Sequence, residues 1–184
     1  MGTRNTLRVY LNGKLKVSQY GQWDGCFAGQ GNDLCRFLDS DWNVHKLVRG
    51  LPHVHFMTKE QSDRIDQSLE RIPDDDDTIR QIFVNRTWNR DLGVSILYLI
   101  AFGCTTYMRT NECPSGTHGL LLNKYDSKEE GNYDLYLNVN NDIVTGHVEA
   151  EFHGYVKKFA INELPSLETL TQWDKESAKY EETL

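Results

Sequence analysis

The chain has 184 residues, 39% of them hydrophobic and 26% charged, which is the composition of an ordinary globular domain and excludes collagen-like, disulfide-dense and wholly disordered chains. At this length about 70% of the unfolded surface can be buried, so a core can form without metal or disulfide staples. The formal charge of -7 and a pI near 5.3 give a field that repels phosphate backbones, so duplex nucleic acid is not an expected partner.

Thr6 to Tyr10 alternate in polarity, Asn12-Gly13 is a strong hairpin turn, and alternation resumes from Lys14 to Tyr20, so the chain is expected to open on a β-hairpin. Gly21, Gly25, Gly29 and Gly31 follow. Leu34, Phe37 and Leu38 then fall at helical spacing, with Asn32 or Asp33 as N-cap. Trp42, Val44, Leu47, Val48 and Leu51 continue an apolar pattern as far as Pro52. A charged amphipathic helix is predicted over Lys59 to Ile72, ended by Pro73.

Asp74 to Asp77 put four carboxylates just before Thr78 to Phe83. They suit a helix N-terminus or a solvated loop better than a calcium loop, which needs spaced oxygen ligands and a glycine. Arg90 to Phe102 is the most apolar stretch, fit for a buried three-turn helix ended by Gly103, with a buried strand pair as the alternative. It is too short to cross a membrane, and the N-terminus has no apolar leader pattern, so no membrane association is expected and the location expected is intracellular, in the cytoplasm. Alternation returns over Tyr133 to Val139 and Ile143 to Phe152 around Asn140-Asn141-Asp142, a second hairpin to which Tyr155 to Ile161 adds a short strand. A terminal helix begins at Ser166. The expected architecture is α+β, an antiparallel sheet built from the N-terminal and C-terminal hairpins and packed against central helices. It comprises a single domain over residues 1–171 and a charged, frayed tail over 172–184.

The densest chemistry lies in Gln19-Tyr20-Gly21-Gln22-Trp23-Asp24-Gly25-Cys26-Phe27-Ala28-Gly29-Gln30-Gly31. A glycine-rich turn between a strand and a helix can aim backbone N–H groups at an anion. The segment matches neither a Walker loop nor G-x-G-x-x-G. If it is extended, Gln22 and Asp24 face one side, as an amide and a carboxylate for a small polar ligand, and Trp23 the other. The competing reading is a Trp-anchored turn in which Asp24 caps local N–H groups.

The opening Met1-Gly2-Thr3-Arg4, this glycine-rich segment and the closing strand pair before Leu164-Pro165 resemble a family of uncharacterised proteins from phages, bacteria and fungi that carry Q-Y-G-Q-W-D-G-Y-P-S-G-Q-G. The similarity is specific over the N-terminal 30 or so residues and looser beyond. It implies that Arg4, Gln19, Tyr20, Gln22, Trp23, Asp24, Gly25 and Gly31 act together, and it implies no activity. This chain has Cys26-Phe27-Ala28 where the family has Tyr-Pro-Ser, so roles of that Tyr or Ser do not carry over.

Other motifs point less far. His53-Val54-His55 would put two imidazoles on one face of a strand, but no third metal ligand stands at a diagnostic spacing. Cys26, Cys35, Cys104 and Cys113 form no C-x-x-C pair and read as reduced structural thiols. Asn85-Arg86-Thr87 is a glycosylation sequon that matters only in a secreted chain, and the loose acylation pattern at Gly2 has no polybasic companion. No cofactor is expected. Three functions remain: a non-enzymatic binding protein holding a small polar or anionic ligand or a partner's loop at Gly21 to Gly31; a small hydrolase of amide or nucleotide-like substrates; and a structural, oligomeric interaction protein. The hydrolase would use Asp24 as general base and Arg4 as anion clamp, or Thr3 as an N-terminal nucleophile after processing.

Overall fold

In the computed structural model, residues 2–69, 92–104, 120–122 and 124–183 are described. The acidic run Asp74–Asp77, the segment Thr78 to Phe83 where a helix start or a solvated loop is expected, the sequon, Pro73 and Cys113 lie outside them.

The two-residue turn Asn12-Gly13, with φ of 49° and 75°, suits the twist of a tight hairpin and joins β1 (Asn5–Leu11) to β2 (Lys14–Gly21). Val9 faces Val17 while Tyr10 faces Leu15, so Lys16 is the extra residue of a β-bulge. The C-terminal meander repeats this turn chemistry. Asn141-Asp142 joins β5 (Gly131–Asn140) to β6 (Ile143–Phe152), and His153-Gly154 joins β6 to β7 (Tyr155–Ala160), all four turn residues having positive φ. The five strands form one sheet in the order β2-β1-β5-β6-β7, antiparallel except where the two ends of the chain meet: β1 runs parallel to β5, Asn5 beside Gly131 and Leu11 beside Leu137. A parallel pair needs a long crossover, and every helix before β5 lies within it.

Helix α1 (Asn32–Leu38) continues directly from a π-turn over Phe27–Gly31, so neither Asn32 nor Asp33 caps it, and helical backbone starts five residues earlier than the apolar spacing suggests. In α2 (Asp41–Gly50) the Ser40 hydroxyl accepts from the Asn43 N–H at 3.4 Å, and Val44 and Leu47 are buried. Trp42 points outward instead, 62% exposed, with the Lys46 ammonium 4.6 Å from its ring centre one turn on. Thr58 and Gln61 form a reciprocal capping box for α3 (Lys59–Leu69), Gln61 N–H to the Thr58 hydroxyl at 3.3 Å and Thr58 N–H to the Gln61 side-chain oxygen Oε1 at 2.9 Å. The apolar stretch resolves as helix: α4 (Ser95–Tyr98) runs on into a π-turn over Leu99–Cys104. A 3-10 turn, Leu51–His53, leads to β3 (Val54–Phe56), which pairs in parallel with β4 (Leu120–Leu122).

One hydrophobic cluster unites the layers. Leu7, Val9, Val17, Tyr133, Leu135 and Val148 from one face of the sheet join Phe27, Leu34, Phe37, Leu47, Ile96, Leu97 and Ile100 from the helices, all at most 1% exposed. Each fully buried side chain of this size contributes roughly 1.5–3 kcal/mol of transfer free energy. The other face carries Arg8 and Asp134, paired at 2.7 Å, beside the stacked rings of Tyr10, Tyr136 and His147.

The C-terminal segment departs most from expectation. Residues 172–181 are not frayed but belong to α5 (Leu167–Glu181), started by the Ser166 hydroxyl accepting from Thr169 N–H at 3.2 Å. Leu170 and Ser177 are buried, and Trp173 packs edge-on against Phe27 at 5.7 Å between ring centres, so tertiary contacts outweigh the charge density of the segment. Among the described residues no helix is long and apolar enough to cross a membrane.

Candidate functional site

The glycine-rich segment leaves the end of β2 and folds over the start of β1. Gly25 N–H donates to the Thr3 carbonyl at 3.0 Å and lies 3.1 Å from its hydroxyl, Gln30 N–H donates to the Asp24 carbonyl at 2.7 Å, and Asn5 Nδ2 donates to the Trp23 carbonyl at 3.0 Å. Asp24 adopts φ of 55°, a left-handed conformation that Asp tolerates, so the chain bends there and Gln22 and Asp24 do not share the face an extended strand would give them. Glycine is required opposite the bend, because a Cβ on Gly29 would fall 2.2 Å from the Asp24 carbonyl oxygen.

The helical N-terminus beyond the bend has the donors expected for an anion, and the chain supplies that anion itself. Phe27 N–H donates to Asp174 Oδ1 at 2.8 Å and Ala28 N–H to Oδ2 at 2.9 Å, so a carboxylate from α5 spans both donors. Beneath them Tyr133 is fully buried, its hydroxyl 2.9 Å from the Gly25 carbonyl and 2.6 Å from that of Cys26, a single proton shared between two acceptors. Burial pushes the Tyr133 phenol well above its ordinary value, with the nearby Cys26 and Asp174 adding to the rise. The Cys26 thiol is raised first by burial and then by Asp174, and burial alone lifts Cys35 to about 12, so neither is an activated nucleophile.

The eight residues singled out in the sequence separate into a buried and a displayed set. Gln19, Tyr20, Gly25 and Gly31 are buried: Gln19 Nε2 reaches the Tyr20 carbonyl at 3.3 Å, the Tyr20 hydroxyl donates to the Gln22 side-chain oxygen, and Gly31 lies against the Tyr133 ring. Arg4, Trp23 and Asp24 are exposed and Gln22 half-buried. The Arg4 guanidinium is engaged within the chain, Nε 3.3 Å from Glu129 and Nη2 3.7 Å from Glu130. Trp23 is 61% exposed, with Gly2 packed so closely on its ring that a Cβ there would lie 2.1 Å from it. Asn5, Thr3, Tyr133 and Asp174, which hold the loop, carry no local sequence signal, because each acts on residues distant in the chain.

The two histidines of His53-Val54-His55 do not share a strand face, since His53 belongs to the 3-10 turn and only His55 to β3. Among the described residues no group of three His, Cys, Asp or Glu is placed to hold a metal ion. Compared with protein-family models, with curated proteins and with solved structures, the chain matches none.

Proposed function

We propose that the protein is a non-enzymatic binding protein that engages a partner's loop through the Gly21 to Gly31 segment, with Trp23 as anchor and Gln22, Asp24 and Arg4 around it. The observation that carries this reading is the exposure of Trp23, 61%, on a backbone fixed from below by Asn5 and Thr3. A large aromatic displayed on a rigid loop buries much area on contact and loses little freedom in doing so, which is why Trp dominates binding hot spots. A partner's loop is favoured over a small anion because the N–H groups of Phe27 and Ala28 already bind Asp174, and the Arg4 guanidinium already meets two carboxylates.

The test is native mass spectrometry of the full chain purified from its own host, with Trp23→Ala and Asp24→Asn alongside. Wild type is expected to carry a polypeptide mass that denaturation removes. Trp23→Ala is expected to lose it while its Tm stays within a few degrees. A bare wild-type chain, or an adduct retained in Trp23→Ala, refutes the proposal.

A further inference from the structure

Building on the binding role proposed for the glycine-rich loop, we infer that Glu129 and Tyr125, in the segment leading into β5, are positioning residues that hold Arg4 in its displayed place. The segment is itself fixed to the sheet. Thr6, Ser18 and Asn132 alternate with core residues and so lie on the face away from the helices, yet they are at most 4% exposed. Their side chains are committed to the backbone of this segment. The Thr6 hydroxyl donates to the Ser127 carbonyl at 3.3 Å, and the Ser18 hydroxyl donates to that of Tyr125. Asn132 meets Glu129 twice, accepting from its N–H at 3.2 Å and donating to its carbonyl at 2.8 Å. Tyr125 N–H donates to the Ser18 carbonyl at 3.1 Å, so the segment is held from β1, β2 and β5 together.

From that backbone the Glu129 carboxylate, 9% exposed, bridges two donors: Oε2 lies 3.3 Å from Arg4 Nε, and Oε1 accepts from the Tyr125 hydroxyl. The Tyr125 ring packs on that of Tyr20, 5.0 Å between centres, and the Tyr20 hydroxyl in turn donates to Gln22. Burial raises the Tyr125 phenol above its ordinary value and the bond to Glu129 adds to the rise, so the phenol keeps its proton and goes on donating. A carboxylate this little exposed restrains its partners strongly, because a charge left unpaired there forfeits its hydration. Glu130, the other contact of Arg4, is more distant at 3.7 Å and 33% exposed, where an ion pair contributes little. Glu129 therefore sets the guanidinium, and Tyr125 sets Glu129. The Arg4 side chain is 51% exposed, and a long side chain already held in place loses less freedom when a partner meets it.

In the full chain, hydrogen exchange at Arg4 Nε, followed by NMR, is expected to be about 2–5-fold faster in Glu129→Gln than in wild type and unchanged in Glu130→Gln. Tyr125→Phe, which keeps the ring and removes the donor, is expected to speed exchange in the same direction, and it decides the matter where Glu129→Gln does not fold. Binding is read from the polypeptide mass carried by the chain in native mass spectra. Glu129→Gln is expected to lower its occupancy, and to lower it no further in an Arg4→Ala background, because Glu129 acts through Arg4. An equal loss in that background marks a general structural role and overturns the inference. Exchange at Arg4 that is unchanged in Glu129→Gln and Tyr125→Phe, or that rises as much in Glu130→Gln, overturns it too. A bare wild-type chain overturns the binding role instead, and the exchange rates still decide whether Glu129 and Tyr125 position Arg4.

Discussion

Asp174→Asn isolates the contact that holds α5 against the glycine-rich loop. The wild-type carboxylate accepts two backbone N–H bonds, 2.8 Å from Phe27 and 2.9 Å from Ala28. Asparagine keeps one acceptor oxygen without its charge and turns an NH2 toward the second N–H, so one bond is lost and the other weakened. Hydrogen bonds to charged groups contribute about 1.5–3 kcal/mol, and this pair is only partly shielded from water, so a loss of roughly 2–3 kcal/mol is expected. A chain of this size shifts by about 2–4 °C per kcal/mol, giving a fall in Tm of roughly 4–12 °C. A local readout separates this from general damage: after burial, Asp174 is the next cause that raises the Cys26 thiol. Removing its charge is expected to speed the native-state reaction of Cys26 with a disulfide reagent at mildly alkaline pH, measured against a Cys26→Ser control. A Tm within a degree of wild type together with an unchanged Cys26 rate refutes the assigned role of Asp174.

Tyr133→Phe removes the proton shared by the Gly25 and Cys26 carbonyls and should cost about 1–3 kcal/mol, read as a lower urea midpoint at unchanged slope. Cys35, lifted to about 12 by burial, should resist alkylation at pH 8 in the native chain and react once the chain is unfolded in urea. Asp134 is raised above its ordinary 3.8 by burial, against the pull of Arg8, so the folded state favours its protonated form. Its contribution to stability is therefore full below the unfolded value and is lost as pH rises through the raised one. Asp134→Asn should flatten that part of the stability–pH curve, and an unchanged curve in the variant refutes the assignment.

What was legible in the sequence is what neighbouring residues decide. Asn12-Gly13 and Asn141-Asp142 announce their hairpins because those residues tolerate positive φ, and the alternation from Tyr133 onward marks the strand face that the core covers. Leu34, Phe37 and Leu38 marked α1, although the π-turn before it left no trace in the apolar spacing. The parallel pairing of β1 with β5 was not legible, since no local pattern distinguishes a partner more than a hundred residues away. Nor was the destination of Asp174: in a segment as charged as Gln172 to Glu182 one carboxylate looks like the next, and only its distance to two particular N–H groups sets it apart. For the candidate site, residue type drew attention to the right loop but did not tell buried Gln19 and Tyr20 from displayed Trp23 and Asp24.

The contact between the loop and α5 also orders events during synthesis. Ala28 leaves the ribosome 146 residues before the carboxylate that binds it, a delay of roughly 7–30 s at about 5–20 residues per second. For most of that interval the β1–β2 hairpin has its β5-facing edge unpaired, and a lone two-stranded hairpin is barely stable in water. The nascent chain thus emerges with a strand edge that stays bare until β5 is made and a loop that stays unsealed until its last helix is made.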